Sequence, residues 1–302
     1  MHPMKILVTG SSGFIGSALL PFLQSQGHEA VRLVRSTPKS GELFWDPAAS
    51  RIDTAGVESF DGMIHLAGDP IAEGRWTPEK KTRMRESRVQ GTTLLAETIA
   101  HLKHPPKVLV CASAIGYYGD RGDELLREES PAGTGFLPEI GQVWESSAEP
   151  AARAGIRVVH LRIGVVLSPA GGALKKMLPP FRLGIGGPLG SGKQFMSWIA
   201  LDDIVGAMHH ALITEGLRGP VNGVAPHPVT NAEFTKILGR MLHRPALFPV
   251  PPFALRLMFG ELADEVLLAS MRVEPAQLLK TGYRFQYPDL EEALRHLLLR
   301  SE

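Results

Sequence analysis

Three glycines near the amino terminus have the spacing that binds a phosphate group. They follow a short apolar strand and open a helix, which is the context that a dinucleotide-binding loop requires. Gly10 permits the tight turn, Gly13 lets the backbone approach a pyrophosphate, and Gly16 lets helix and strand pack closely. The N–H groups and positive dipole end of the helix then face the phosphates. The predicted cofactor loop comprises Thr9, Gly10, Ser11, Ser12, Gly13, Phe14, Ile15 and Gly16.

The residue at the end of the second predicted strand distinguishes the two nicotinamide cofactors. Sites for NAD usually place an acidic residue there, about 20 residues after the loop, on the ribose hydroxyls. This chain has Arg35 at that position, followed by Ser36, and no acidic residue. A guanidinium can bind a 2′-phosphate through two hydrogen bonds. We therefore predict NADP(H) as the cofactor, with Arg35 and Ser36 at its 2′-phosphate. A solvated surface arginine is the alternative.

Several further stretches extend from the loop to the carboxyl terminus: HLAGDPI (65–71), RWT (75–77), ASAIGYYG (112–119), GGAL (171–174), GGPLGSG (186–192), SWI (197–199) and QYPDL (286–290). With the glycine loop, they make the chain similar to the extended short-chain dehydrogenases/reductases. It most resembles an atypical branch of epimerase-family proteins, some of which are labelled cell-division-inhibitor-like.

That resemblance implies a doubly wound sheet, a small carboxyl-terminal substrate-binding lobe and bound NADP(H). It also implies that Leu66, Ala67 and Gly68 line the adenine-ribose side of the cofactor. Ala67 and Gly68 end a predicted strand, where a close backbone approach is useful, although an ordinary turn is the alternative. The resemblance implies a homodimer through the helices that begin near Pro78 and Pro138, and it implies no settled substrate.

The catalytic pair of that superfamily is absent from this chain. The resemblance implies a Tyr-x-x-x-Lys pair on one helical face, where the lysine lowers the pKa of the tyrosine and the phenol moves a proton. Anchored on Glu145, the corresponding positions hold Leu137 and Gly141, and neither residue can titrate.

Three residues after the predicted strand at 108–112 are the remaining candidates for the chemistry. Ser113 is close to the superfamily's serine, which hydrogen-bonds a substrate oxygen. Tyr117 and Tyr118 are the tyrosines near the expected nicotinamide, and Tyr117 is favoured as the proton donor because Tyr118 matches a structural position. The alternatives are that Ser113 only satisfies a turn and that each tyrosine only packs with a satisfied hydroxyl.

Five further side chains are predicted to face the substrate. Glu73, Arg75 and Trp76 lie in a loop after a strand end, where ligands collect in such sheets. Lys193 follows a glycine-rich segment, and Trp198 is expected to form a wall of the pocket. For each of these residues a solvated or structural role is the alternative. The histidines show neither His-x-x-x-His nor His-Glu-x-x-His spacing, so no metal site is predicted.

Alternating strand-like and helix-like segments must position these residues. The predicted strands are nearly continuous in apolar residues, which is typical of a parallel sheet covered by helices on both faces. They comprise 5–8, 28–35, 63–67, 108–112 and 157–167, with helices over 17–26, 78–101 and 138–154. The predicted fold is therefore α/β, with a Rossmann-type doubly wound parallel sheet and a smaller carboxyl-terminal lobe.

The division into parts follows a change in composition near residue 168, where glycine-rich and proline-rich stretches begin. We assign residues 1–167 to the NADP(H)-binding Rossmann domain and expect 197–224 to return to it. Residues 168–196 and 225–302 are assigned to the small substrate-binding lobe.

The overall composition excludes several classes of protein. With a net charge of +1, neither nucleic acid nor an anionic membrane is an expected partner. The single cysteine, Cys111, excludes an internal disulfide and a multi-thiolate metal site. No apolar stretch approaches the roughly 18 residues of a membrane span, and no signal-peptide pattern opens the chain. We expect a cytoplasmic protein whose partner is a small-molecule substrate.

Two functions fit these observations. The leading prediction is an NADP(H)-dependent oxidoreductase or epimerase acting on a small carbonyl or hydroxyl compound, such as a nucleotide sugar, without the usual tyrosine and lysine. The alternative is a non-catalytic NADP(H)-binding protein that senses redox ratio or scaffolds a partner, and the missing catalytic pair is its support.

Overall fold

The computed structural model describes residues 2–299. Its strands are β1 (Lys5–Thr9), β2 (Glu29–Val34), β3 (Glu42–Asp46), β4 (Arg51–Ile52), β5 (Gly62–His65), β6 (Val108–Ala114), β7 (Leu125–Leu126), β8 (Arg157–Ile163), β9 (Val165–Ser168), β10 (Phe195–Met196), β11 (Trp198–Ala200), β12 (Gly219–Gly223), β13 (Val229–Thr230) and β14 (Arg272–Val273). Its helices are α1 (Phe14–Ser25), α2 (Pro78–Ala100), α3 (Phe136–Ser146), α4 (Glu149–Arg153), α5 (Gly172–Arg182), α6 (Leu201–Ile213), α7 (Asn231–Met241), α8 (Pro252–Phe259), α9 (Ala276–Lys280) and α10 (Leu290–Leu299).

An eight-stranded sheet forms the centre of the molecule, in the order β12-β8-β6-β5-β1-β2-β3-β4. Its neighbouring strands are parallel except for the short β3–β4 pair. The chain runs outward from β1 to β4 and then crosses to β5 on the other side of β1. Ligands bind at such a reversal, outside the carboxyl ends of the strands. The predicted α/β class and doubly wound parallel sheet are confirmed.

Helices cover both faces of this sheet because alternate strand residues point to opposite sides. Ile6 and Val8 of β1 pack with α1 and α6 on one face. Leu7, between them, packs with α2 and α4 on the other face. The carboxyl ends of β1, β5 and β6 are thereby held by a core on each side.

A third apolar cluster lies outside the sheet and joins the later segments of the chain. It combines residues of α5, α7 and α10 with Leu167 of β9 and Trp198 of β11. The strands β9 and β11 pair with each other in parallel, apart from the main sheet. The exact boundary of the predicted lobe stays a prediction.

Several elements differ from the sequence-based expectation. The strand predicted over 157–167 is broken at Gly164, where a Cβ would lie 2.6 Å from the Ser197 carbonyl oxygen. The helix predicted over 138–154 is two helices, α3 and α4. The strands β3 and β12 were not predicted, since Gly41 and Pro47 flank β3, and β12 itself contains two glycines and a proline. Within residues 2–299, no helix is long and apolar enough to cross a membrane.

Candidate functional site

The glycine loop is so tight that two of its glycines leave no room for a side chain. Gly10 has a φ of +65°, and a Cβ there would lie 2.6 Å from the carbonyl carbon of Leu66. A Cβ on Gly16 would lie 2.3 Å from the Gly10 oxygen. The Gly13 N–H donates to that same oxygen at 3.0 Å. The helix α1 begins at Phe14 without a side-chain cap, so its first N–H groups are left for an anionic ligand.

Two polar side chains anchor this loop to the sheet. The Thr9 hydroxyl oxygen accepts hydrogen bonds from the backbone N–H groups of Leu66 and Ala67, at 3.1 and 3.3 Å. The Ser11 hydroxyl accepts one from Arg32 Nε at 3.0 Å. Arg32 thus reaches the loop from β2. The loop therefore keeps its shape through contacts with β2 and with the end of β5.

A buried chain of hydrogen bonds continues from Thr9 to the helices on one face. Thr9 Oγ1 lies 2.7 Å from His65 Nδ1, and His65 Nε2 lies 3.1 Å from Thr92 Oγ1. The Trp144 indole N–H donates to the same Thr92 hydroxyl at 3.1 Å. Burial lowers the pKa of His65 to about 4, so the imidazole is neutral at pH 7. The end of β1 is thus tied to α2 and α3.

A cavity of about 420 Å³ lies beside the start of α1. Ser12, Gly13 and Phe14 line it from the loop, and Gly171 lines it from the turn before α5. The Phe14 ring occupies the space of a Gly171 side chain, because a Cβ there would lie 2.4 Å from the ring. Ile15 points away and packs against the core of the sheet. The first turn of α1 is therefore in direct contact with the segment that leads into the lobe.

A second cavity, of about 240 Å³, lies at the other end of the loop, between β2, β3, β5 and α2. The structure brings together here Arg35, Ala67 and Gly68, which were predicted separately. Ser36 is exposed beside them. The lining residues are Arg35, Trp45, Asp46, Pro47, Ala48, Ala67, Gly68, Asp69, Arg83, Glu86, Ser87 and Gln90. Two cations line this cavity, Arg35 just after β2 and Arg83 from α2, together with the three carboxylates of Asp46, Asp69 and Glu86.

Arg88 lies directly behind the backbone at Gly68. A Cβ on Gly68 would lie 3.5 Å from the guanidinium carbon of Arg88. Arg88 is buried, stacks on the Trp144 ring at 4.8 Å and donates one hydrogen bond to the Met84 carbonyl. Its Nε is buried without a partner among the described residues, and burial lowers its pKa to about 10. A buried cation with an unsatisfied donor beside the loop suits an anionic or polar ligand.

Ser113 lies near the carboxyl end of β6 and is 3% exposed. Its hydroxyl donates to Glu145 Oε1 at 2.7 Å. Arg162, which pairs with Ser113 across β6 and β8, donates to both oxygens of the same carboxylate at 2.8 Å. Burial acts to lower the pKa of Arg162, but the hydrogen bonds and charge of Glu145 outweigh it and raise that pKa. The Ser113 oxygen therefore keeps its lone pairs for another donor.

Tyr118 belongs to the buried side of this network. It is fully buried, its hydroxyl donates to Asn222 Oδ1 at 2.7 Å, and it accepts from Arg162 at 3.0 Å. Burial raises the pKa of Tyr118 to about 12. A hydroxyl that is already satisfied on both sides and shielded from solvent cannot reach a substrate. This geometry corrects the inclusion of Tyr118 among the catalytic candidates.

Tyr117 lies on the open side of the same network. The Arg162 guanidinium stacks on its ring, with the guanidinium carbon 3.6 Å from the ring centroid. The side chain is partly exposed, and no group among the described residues hydrogen-bonds its hydroxyl. Of the two tyrosines, Tyr117 is therefore the one whose phenol is available to a ligand.

The residues that replace the usual catalytic pair make room for Tyr117. A Cβ on Gly141 would lie 3.3 Å from the Tyr117 ring and backbone, so a side chain there would require Tyr117 to shift by a few tenths of an ångström. Leu137 packs on the backbone at Gly116. The Glu265 carboxylate accepts the N–H groups of Phe136 and Leu137, both at 3.2 Å. The start of α3 is thus occupied by packing and capping contacts.

The five residues predicted to face substrate lie in different environments. Trp198 is wrong as a pocket wall, because it is fully buried in the third cluster and its indole donates to the His227 carbonyl. Trp76 donates to the Ile71 carbonyl and is partly exposed. Arg75 is exposed and donates to the Leu257 carbonyl at 2.8 Å. Glu73 and Lys193 are exposed, and their roles stay predictions.

Sequence reasoning missed the roles of Glu145 and Arg162. Glu145 was used only as the reference position for placing the superfamily's catalytic pair on the helix. Arg162 lies in a strand whose other residues from 158 to 163 are apolar, except for His160. An arginine inside such a strand is a signal, since a buried guanidinium requires a paired carboxylate. No group of three or more metal-ligating side chains occurs among residues 2–299.

Two family models match this chain. The NAD dependent epimerase/dehydratase family matches residues 6–222, which include β1 and most of the sheet. A domain of unknown function, DUF1731, matches residues 250–297. Among curated relatives, Epimerase family protein MT2273 of Mycobacterium tuberculosis is 43% identical over 296 residues, which are 98% of each chain.

Two solved structures are similar over nearly the whole of this chain. The human epimerase family protein SDR39U1, crystallised with NADPH, is 37% identical with a TM-score of 0.91, over 97% of this chain and 99% of that one. A nucleoside-diphosphate sugar epimerase from Corynebacterium glutamicum is 39% identical with a TM-score of 0.83, over 98% of this chain and 58% of that one.

Proposed function

Since this chain belongs to the NAD dependent epimerase/dehydratase family, we propose that it is an NADP(H)-dependent oxidoreductase or epimerase. Its substrate is a small carbonyl or hydroxyl compound, such as a nucleotide sugar. The observation that carries this proposal is the Ser113 hydroxyl, held by the Glu145–Arg162 pair beside the Tyr117 hydroxyl, which no described residue hydrogen-bonds. These groups lie at the carboxyl edge of the sheet that also carries the glycine loop.

The cofactor is NADP(H), and the residues present fit it. Backbone N–H groups at the start of α1 would hold the pyrophosphate. Arg35 and Arg83 would hold the 2′-phosphate, with Ala67 and Gly68 against the adenine-ribose. The human relative of similar structure was crystallised with NADPH, which supports this choice. When bound, the nicotinamide supplies or accepts the hydride.

The hydrogen bonds of the site give the two hydroxyl groups different tasks. Because the Ser113 hydroxyl donates to Glu145, its oxygen can accept a proton from a substrate hydroxyl while its own proton moves to the Glu145 carboxylate. The Tyr117 hydroxyl can donate to a substrate carbonyl oxygen. Arg162 orients both, because it holds Glu145 through two hydrogen bonds and stacks on the Tyr117 ring. This arrangement substitutes for the missing tyrosine and lysine.

The test is hydride transfer with a library of nucleotide sugars, aldehydes and ketones, followed by the absorbance of NADPH and by product stereochemistry. We expect Ser113→Ala and Tyr117→Phe each to reduce turnover by about 10²–10⁴-fold, the usual contribution of a positioned proton-transfer group. Their affinity for NADPH should be unchanged, because neither side chain lines the cofactor cavities. Ser25→Ala, at the exposed end of α1, is the matched control.

The alternative function, a non-catalytic redox sensor or scaffold, has one observation in its favour. Leu137 and Gly141 fill the positions of the usual catalytic pair and are engaged in packing. Tight NADPH binding without turnover on any member of the library would select this alternative and reject catalysis. The homodimer that the family resemblance implies remains a separate prediction.

A further inference from the structure

Large apolar side chains protrude from one region of the later half of the chain. They lie after α5, in the loop before α8, and on α8 itself, and each is 60–77% exposed. We call this set the apolar patch, and it consists of Leu183, Ile185, Leu247, Phe248, Phe253 and Leu257. Isolated exposed apolar residues are ordinary, but a contiguous group marks an interaction surface.

The two segments that carry the apolar patch run side by side. Arg244 Nε donates to the Arg182 carbonyl at 2.9 Å, one residue before Leu183. Further along, the Val250 N–H donates to the Pro188 carbonyl, and the Gly190 N–H donates to the Val250 carbonyl, both at 2.9 Å. Phe253 and Leu257 are four residues apart on α8, so they share one helical face. The segments that carry the patch are therefore adjacent in the fold although they are distant in sequence.

The same segments contain basic residues and no acidic ones. No aspartate or glutamate occurs in 170–201 or in 234–260. Arg240 and Arg256 pair with carboxylates from outside these segments. Arg182 and Arg244, adjacent to the patch, form no ion pair with any described residue. The cations of the two segments are Lys175, Lys176, Arg182, Lys193, Lys236, Arg240, Arg244 and Arg256.

We propose that the apolar patch docks on the surface of an anionic lipid bilayer. Apolar side chains that enter the boundary of the acyl chains, flanked by cations facing the headgroups, are the combination that binds such surfaces. The expectation of no membrane partner came from the net charge of +1, which averages over charges that the fold separates.

Two other occupants fit the observations less well. A second copy of this chain would bring Arg182 and Arg244, which form no ion pair with a described residue, close to the same two cations of the first copy, and like charges repel across an interface. The dimer implied by the family resemblance would use α2 and α3 instead. A peptide that binds in a groove requires concave walls, whereas side chains that are mostly exposed, such as Leu247 and Phe253, project outward. Side chains that project from the surface can enter the acyl-chain boundary of a bilayer.

The first experiment is co-sedimentation of the full chain with vesicles. One set contains equal amounts of phosphatidylglycerol and phosphatidylcholine, and the other contains phosphatidylcholine alone. We expect binding to the anionic set that weakens with added salt. The double variant Leu247→Ser with Phe248→Ser should lower it by about tenfold or more, because two large apolar side chains no longer enter the lipid. Leu279→Ser, an exposed leucine outside the patch, should leave it unchanged.

A second measurement locates the contact. Cys111 is 1% exposed, so a cysteine introduced by Phe253→Cys can be labelled selectively with a polarity-sensitive dye. Its emission should shift to shorter wavelength with the anionic vesicles, while the same dye on Leu279→Cys should not respond. The proposal is overturned if the parent chain fails to bind anionic vesicles at low salt. It is equally overturned if the patch variants change only the mass measured by light scattering, which would assign the patch to a second copy.

Discussion

Replacing Arg162 with methionine should destabilise this protein far more than removing an arginine from the surface. Arg162 is 3% exposed and donates two hydrogen bonds to Glu145, one to Tyr118 and one to the Glu128 carbonyl. Without it, the Glu145 carboxylate, whose side chain is 13% exposed, loses its counter-charge. Breaking a buried pair in this way costs about 3–5 kcal/mol. At about 2–4 °C per kcal/mol, the melting temperature should fall by about 6–20 °C.

The matched control is Arg153→Met, because Arg153 also pairs with a glutamate, Glu149, at 3.0 Å. That pair is one helical turn apart on α4, and its arginine side chain is 77% exposed. Exposed pairs of this kind contribute about 0.3–0.5 kcal/mol, so the melting temperature should move by no more than about 2 °C. Thermal and urea denaturation, followed by circular dichroism, compare the two variants directly. If Arg162→Met lowers the melting temperature no more than Arg153→Met does, the Glu145–Arg162 pair does not order the site.

Three further predictions follow from particular contacts. Arg35→Ala should weaken NADPH binding by about 10–100-fold in calorimetry, because charge-assisted hydrogen bonds contribute about 1.5–3 kcal/mol. The binding of NADH should stay nearly unchanged, and the control Arg51→Ala should alter the binding of neither cofactor. Gly10→Ala should abolish binding of both cofactors, because its Cβ would lie 2.6 Å from backbone. Gly27→Ala, with positive φ and open space, should cost only about 1 kcal/mol of stability. The contribution of His65, whose folded pKa of about 4 lies below the unfolded value, should be lost as pH falls from about 6.5 to 4. Equal slopes of urea stability against pH in the parent and His65→Gln would contradict it.

Local signals were sufficient for the cofactor loop and for the longest helix. Gly10 and Gly16 occupy positions where a side chain would collide with backbone, and such demands are visible in the sequence alone. The helix expected over 78–101 is found as Pro78–Ala100, and Thr77 caps it by accepting the Lys80 N–H. Proline in the first turn and a threonine before it are strong signals of a helix start.

Tertiary context decided the features that sequence reasoning missed. The strand β12 reads Gly-Pro-Val-Asn-Gly, a composition typical of a turn, but it lies at the sheet edge, where proline is tolerated, and it pairs with β8. The choice between Tyr117 and Tyr118 depends on which ring faces Asn222, more than 100 positions away in the chain. The Glu145–Arg162 pair likewise joins α3 to β8, and a contact between two separate elements cannot be predicted from the periodicity of either one.

The buried chain from Thr9 to Trp144 has only one consistent direction of proton donation. The Thr9 hydroxyl oxygen already accepts two backbone N–H groups, so its own proton points to His65 Nδ1. The imidazole must then carry its hydrogen on Nε2 and give it to Thr92. This single tautomer is a property that nitrogen-15 chemical shifts report for each ring nitrogen. A second proton on His65, at Nδ1, would find no free lone pair on the Thr9 oxygen, so the hydrogen bond between Thr9 and the imidazole would break. Thr9 is the residue at which the glycine loop leaves β1.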